Sequence, residues 1–453
     1  MRPGRMRAIG VFIAAGILYF AWMTGFSFEF HETRVFPNYD LLAEAFSKGR
    51  LHLEQTPPDD TLLKDGRRYI FSGPVPALLR LPFKFLFKLN IPTGLMIVIF
   101  CAGTGALFAW SLDELSSPPE KKRLTFARNL IAVLFVLNGV SLYMVTIPSL
   151  HHESICIAMF FLTLAIVLFL RIKNRNYRVS SCAAVLMGLS LSLAIGSRFS
   201  YIFAAVALGA MLTIGMLRRY RNIPRQKIIG SLSIIAGICT VSIALLLWYN
   251  YGRFGAFFDF GMQYLVSFYK AYFAGGGYFR YDHFHYNFWA LFFQAPQFVP
   301  EFPFLLLPRY VLQVQSIGLT PYYLLHTNEL TVSIFILMPV LVLAAAPLLT
   351  RNARTENGLE AYAGCGVILI TQVLSFIFTV ATIARYYYDI LPLMMMMAYM
   401  GAAGFIINRK LSHPLLAFLA ALSILISWAL PLNAVKFYAQ FIDYQSPLLN
   451  IFY

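Results

Sequence analysis

The sequence predicts an all-α fold, a polytopic integral membrane protein of about eleven transmembrane helices with amphipathic surface helices in its first external loop. Composition is the first reason: 59% of the 453 residues are hydrophobic, 12% are charged and mean hydropathy is +0.67, so lipid is the solvent for most of the chain. The second is run length. Stretches of about 20 mostly apolar residues, enough to cross a hydrocarbon core, begin near Ala8, Ile91, Phe126, Ser154, Val179, Phe199, Ile228, Leu330, Leu359, Leu391 and Pro414. The third is that backbone polar groups must be paired within lipid, and these runs far exceed a barrel strand, so the spans are helices.

The first span follows Arg2, Arg5 and Arg7, and Trp22 to Phe26 offers no small-x-small cleavage site, which predicts an uncleaved helix rather than a signal peptide. The polar stretch behind it, 27–89, holds eight of the 20 acidic residues: Glu29, Glu32, Asp40, Glu44, Glu54, Asp59, Asp60 and Asp65. Within it, Asn38 to Gly49 sets Leu41, Leu42, Ala45 and Phe46 on one face and Asp40, Glu44 and Lys48 one turn apart on another. That pattern predicts a short helix lying on the membrane surface, stopped by Gly49. Pro57-Pro58-Asp59-Asp60 reads as a turn. A second amphipathic stretch, Pro74 to Leu89, carries Arg80, Lys84 and Lys88 at four-residue spacing, suited to lipid phosphates.

Further along, the turn between the third and fourth spans reads Pro148-Ser149-Leu150-His151-His152-Glu153, and Arg198 is an isolated cation between the fifth and sixth. Histidines there suit a phosphate oxygen or a divalent ion, and Arg198 suits phosphate or simple snorkelling. The large aromatic loop, 249–329, contains Arg253 in a turn between aromatics and predicts half-buried short helices folded back on the bilayer. Glu329 is expected to complement the N-terminus of the next span. After the ninth span, Arg385 and Asp389 stand one turn apart, fit for an ion pair or a ligand. Met394 to Met397 reads as adaptable packing, and Cys101, Cys156, Cys182, Cys239 and Cys365 as small hydrophobes inside spans. The whole chain, 1–453, reads as one transmembrane domain.

Orientation follows from Lys and Arg in short loops. With the N-terminus in the cytoplasm, the inner segments carry 19 basic and five acidic residues, and the outer ones 16 basic and 15 acidic. A pI near 9.6 therefore reports topology and implies no nucleic-acid partner. No phosphate loop, dinucleotide fingerprint or HExxH is present.

Four segments together, Tyr39 to Leu53, Asp65 to Phe83, Tyr249 to Gly261 and Arg385 to Pro392, resemble the bacterial multi-spanning proteins of the GT-C glycosyltransferase superfamily, in the protein-mannosyltransferase-like branch related to glycosyltransferase family 39. The resemblance implies a cell-membrane enzyme that moves a sugar from a polyprenyl-phosphate carrier to a lipid, glycan or protein acceptor at the external or periplasmic face, among membrane lipids. Such transfer needs a carboxylate base for the acceptor hydroxyl and positive charge for the departing phosphate. The expected base is Asp40, with Glu44 and Glu32 behind it; just beyond the first helix no adjacent acidic pair is found, Glu29 and Glu32 standing apart. Arg198, Arg253 and Arg385, with His151 and His152, are the expected phosphate ligands. No cofactor and no metal ligand is assigned, although a divalent metal ion shared by Asp40 and the histidines is compatible with the chemistry. Two other classes fit the composition: a polymerase or ligase of lipid-linked glycans, and a secondary transporter, which the charge-poor spans disfavour.

Overall fold

The computed structural model describes residues 3–29, 38–55, 61–116, 124–219, 224–266, 280–281, 283–314, 323–349, 358–379, 383–441, 448 and 451. In chain order its first half contains α1 (Pro3–Met23), α2 (Asn38–Ser47), the hairpin β1 (Thr61–Lys64) and β2 (Arg67–Ile70), α3 (Val75–Phe87), α4 (Thr93–Leu115), α5 (Thr125–Leu137), α6 (Gly139–Thr146), α7 (Leu150–Asn174), α8 (Ser181–Ser197), α9 (Ile202–Arg218) and α10 (Arg225–Phe254). The second half adds α11 (His283–Phe292), the hairpins β3 (Gln297–Phe298) with β4 (Leu305–Leu306) and β5 (Arg309–Val314) with β6 (Tyr323–Leu330), α12 (Ile334–Leu337), α13 (Ala346–Leu349), α14 (Gly358–Ile377), α15 (Tyr387–Ile407), α16 (His413–Ser427) and α17 (Ala429–Phe441).

Among the described residues, nine helices are long and apolar enough to cross a membrane. Two other expected spans are shorter apolar helices, Ser181–Ser197 and Pro339–Leu348. The chain divides into two compact units, Met1–Glu114 with Ile147–Gly276, and Leu115–Thr146 with Gly277–Tyr453.

In the first unit, side-chain pairing sorts the helix ends into two sets. At one set, Arg7 of α1 pairs with Asp113 of α4 at 2.7 Å, Asn174 of α7 donates to the Glu114 carbonyl at 2.7 Å, and Arg219 beyond α9 donates to Asn176 at 3.3 Å. At the other, the end of α10 meets the first polar loop: Lys64 Nζ donates to the Phe254 carbonyl at 2.6 Å and Arg253 Nη1 to the Ile70 carbonyl at 2.8 Å. Leu62 bridges Leu265, and Val266 N–H donates to the Thr61 carbonyl at 2.9 Å. The start of the large loop thus continues the hairpin of the first one.

Two elements of that loop differ from expectation. Asp65 and Gly66, with φ of 50° and 74°, form a two-residue hairpin turn, a local signal that periodicity alone does not carry. The helix α2 does not lie with an apolar face on the surface; Asn38, Tyr39, Leu42, Ala43 and Ala45 are its buried side, which packs into the unit. It stops as expected: Gly49 has φ +70°, and Arg50 N–H donates to the Ala45 carbonyl at 2.8 Å, closing the last turn. Gly73 lets the loop touch α8, since a Cβ there would overlap the Gly196 carbonyl oxygen.

In the second unit, α15 is buried along nearly its whole length, Met394 to Met397 included. Trp428 Nε1 donates to the Leu137 carbonyl at 2.8 Å and Gly139 N–H to Ser427 Oγ at 2.8 Å, fastening the α5–α6 pair to the last helices. Asn287 of α11 donates to the Ile377 and Thr379 carbonyls at 2.7 and 2.8 Å. This aromatic region contains strands as well as the short helix expected of it. Glu329 lies in β6, and the following helix begins at Ile334 under a Ser333 cap, so Glu329 does not sit on a helix N-terminus.

Candidate functional site

The first turn of α2 carries Tyr39 and Asp40, and it is seated by an apolar cluster of Tyr39, Leu42, Ala43, Leu53, Ile70, Ala77 and Leu150. Leu150 is the first residue of α7, so the same cluster fixes that helix start. Ser149 caps α7 by accepting the His152 N–H at 3.2 Å, and Glu153 falls in its first turn, where the helix dipole favours an anion. The buried side of α3 is Val75, Pro76, Ala77 and Arg80. Three elements distant in sequence thus bring Asp40, Arg80 and Glu153 together.

Arg80 and Glu153 are both 0% exposed and form a bidentate pair, Nη2 to Oε2 at 3.0 Å and Nη1 to Oε1. Arg80 Nε donates to the Ile91 carbonyl at 3.2 Å and Nη1 also to that of Pro76 at 3.1 Å. Every guanidinium nitrogen therefore has an acceptor before Asp40 is considered. Asp40 Oδ1 lies 3.3 Å from Nε, near enough for charge attraction, but the N–H points to Ile91 and Oδ1 receives no hydrogen bond. The Asp40 side chain keeps 14% exposure, so it alone of the three charges reaches the surface.

Two carboxylates face one guanidinium, and Glu153 has the better geometry. Burial pushes the Asp40 carboxyl above the usual carboxylate range, against the pull of Arg80, Lys84 and the Ile91 amide. For Arg80, burial opposes the charge, yet Glu153 and then Asp40 outweigh it and raise its pKa. Burial first, and the Glu153 charge second, push the Tyr39 hydroxyl up as well. What results is a partly exposed base beside a neutralised ion pair.

The other expected residues fall as follows. Glu44 is solvent-exposed and bonded to Lys48 at 2.7 Å, which also holds Glu54 at 2.9 Å; the Lys48 hydrogen bond pulls the Glu44 pKa down, making it a weaker base than Asp40. Glu32 lies outside the described residues. His152 is buried in the first turn of α7, and half-buried His151 has its ring 6.5 Å from that of Phe71. Arg198 is half-buried at the C-terminus of α8, just past the Gly196 carbonyl that Gly73 approaches. Arg253 is buried, with Nη1 on the Ile70 carbonyl, Nη2 on Asn250 Oδ1 at 2.6 Å and its plane 3.9 Å from the Tyr249 ring centre, so its donors fasten α10 to β2. Arg385 belongs to the second unit, in a turn ahead of α15 whose first turn holds the buried Asp389.

Arg80 and Glu153 are the residues that sequence reasoning placed elsewhere: Arg80 does not face headgroups, and Glu153 is no surface carboxylate. Their signal is a cation three and four residues on from Ala77 and Pro76 on α3, and a lone acid heading an apolar span. No group of three or more His, Cys, Asp or Glu side chains able to hold a metal occurs among the described residues, so Asp40 and the histidines do not make one. The fold and these ends define a multi-pass membrane protein with a charged cluster in its first unit. Neither protein-family models nor curated proteins match the chain.

Proposed function

We propose that the chain is a membrane glycosyltransferase that moves a sugar from a polyprenyl-phosphate carrier to an acceptor hydroxyl, with Asp40 as general base. The observation that carries this reading is the Asp40 carboxylate: partly exposed, raised in pKa and free of a hydrogen bond at Oδ1. A base of raised pKa takes a hydroxyl proton more readily as the oxygen attacks the anomeric carbon. The proton passes to Asp40 and the glycosidic C–O bond to the lipid phosphate breaks. That phosphate leaves as an anion and needs cations rather than an acid. Arg198 and His151, near the Gly73 turn and Phe71, suit it; Arg253 has Nη1 and Nη2 on protein acceptors, and Arg385 is a further candidate.

The membrane arrangement belongs to the same reading: about eleven spans in the cell membrane, the N-terminus in the cytoplasm and the cluster on the outer face. Support comes from the helix ends, because the set with Arg7, Arg171 and Arg219 is the basic one. The test is Asp40→Asn in purified full-length protein, supplied with polyprenyl-phosphate-linked hexoses and candidate acceptors, with products read by mass spectrometry. The expected result is loss of transfer by at least about 100-fold with expression and melting temperature unchanged. Full activity in Asp40→Asn removes it from the mechanism.

A further inference from the structure

The amide of Asn38 is the most conspicuous polar group that the mechanism leaves unused. It is 0% exposed at the first position of α2, and among the described residues neither its Oδ1 nor its Nδ2 has a hydrogen-bond partner. Asp40, two residues on, presents a third buried and unbonded polar atom in Oδ1. Buried amides are nearly always paired, and leaving one unpaired costs more than a typical bond contributes. Three such atoms in a single helical turn call for a ligand that brings its own donors and acceptors.

Their chemistry limits what that ligand is. Nδ2 offers donors, Asn38 Oδ1 and Asp40 Oδ1 offer acceptors, and the Asp40 charge repels an anion. A phosphodiester lacks protons to give, and any phosphate would meet that negative charge. Hydroxyl groups both give and accept, and a sugar ring carries several of them. We infer that the embedded first turn of α2 is a carbohydrate-hydroxyl subsite in which Asn38 sets sugar specificity. This rests on the transferase reading for its role but not for its binding chemistry.

Asn38→Leu tests it, because Leu keeps the branched shape of Asn at Cγ and has no polar atom. Replacing an unpaired buried amide with such a group leaves stability unchanged or raises it, whereas a structural amide would lower it on removal. Full-length protein in lipid nanodiscs is examined by saturation-transfer NMR against methyl glycosides of glucose, galactose, mannose and N-acetylglucosamine, with inorganic phosphate as the anionic control. The expected result is binding of at least one glycoside, weakened about tenfold or more in Asn38→Leu, at an equal or higher melting temperature and without competition by phosphate. Should Asn38→Leu not fold, Asn38→Ala, which adds no bulk, carries the same expectation for binding. The inference is overturned if no glycoside binds the wild type, if affinity survives loss of the amide, or if phosphate competes. Glycoside binding that depends on Asn38 in a protein with no detectable transfer upholds the subsite and sinks the transferase reading instead.

Discussion

Asp40 and Glu44 stand one turn apart on the same helix, yet their surroundings drive them in opposite directions. Burial holds the Asp40 pKa above its ordinary value, near 3.9 for a free aspartate, so its folded state prefers the proton. Its contribution to stability is present at low pH and lost as pH rises through the folded value, while its activity as a base is gained over the same interval. We expect transfer to fall away at acid pH with a midpoint above that of a free aspartate, measured from kcat against pH. In Glu153→Gln, Arg80 is released to Asp40, and that midpoint moves to lower pH. The same variant leaves a buried guanidinium half paired and lowers stability by about 3–5 kcal/mol in thermal or denaturant unfolding. Glu44 is the contrast: Lys48 depresses its pKa, so its contribution is present at neutral pH and lost as pH falls through the folded value. Being exposed and screened by solvent, that pair adds little to stability, and Glu44→Gln is expected to keep activity within about twofold.

At the scale of elements, the start and stop of α2 were legible because its signals are local: Gly49 ends it and the apolar spacing sets its length. Its apolar face was legible too, since Leu41, Leu42 and Phe46 all pack at the cluster with Ile70, Ala77 and Leu150; what was not legible is that this face meets protein rather than lipid, which only the partner decides. The inner face of α3 was misread for a related reason. An arginine on an apolar helix looks identical whether it snorkels to headgroups or meets a carboxylate 73 residues away. Past Arg80, α3 exposes Phe85, Leu86 and Phe87 around Lys84 and Lys88, a pattern suited to a membrane interface. The Gly73 turn joins α3 to α8 with no room for a side chain. Gly73→Val is expected to force the loop off Gly196, lowering the melting temperature and, because Gly73 leads into α3, which carries Arg80 beside Asp40, reducing transfer at least tenfold.

At the scale of the molecule, the membrane class was legible almost entirely from run length and hydropathy, since both follow from the solvent rather than from tertiary contacts. The candidate site was legible only in part: Asp40 and the α7 turn were visible, but the ion pair that sets their chemistry joins three elements with no shared motif. Orientation is open to direct measurement. In a Cys182→Ser background, a membrane-impermeant maleimide is expected to label Lys88→Cys in intact cells and Arg178→Cys only after permeabilisation. The reverse pattern would invert the proposed topology.

The link between Arg80 and Glu153 also imposes an order on biogenesis. Residue 80 leaves the ribosome long before residue 153, and α4, α5 and α6 lie between them in the chain. Until α7 is inserted, the guanidinium has only Asp40 to meet and lacks its bidentate partner. The first loop is therefore expected to close onto the bundle as a late event, once α7 is in place.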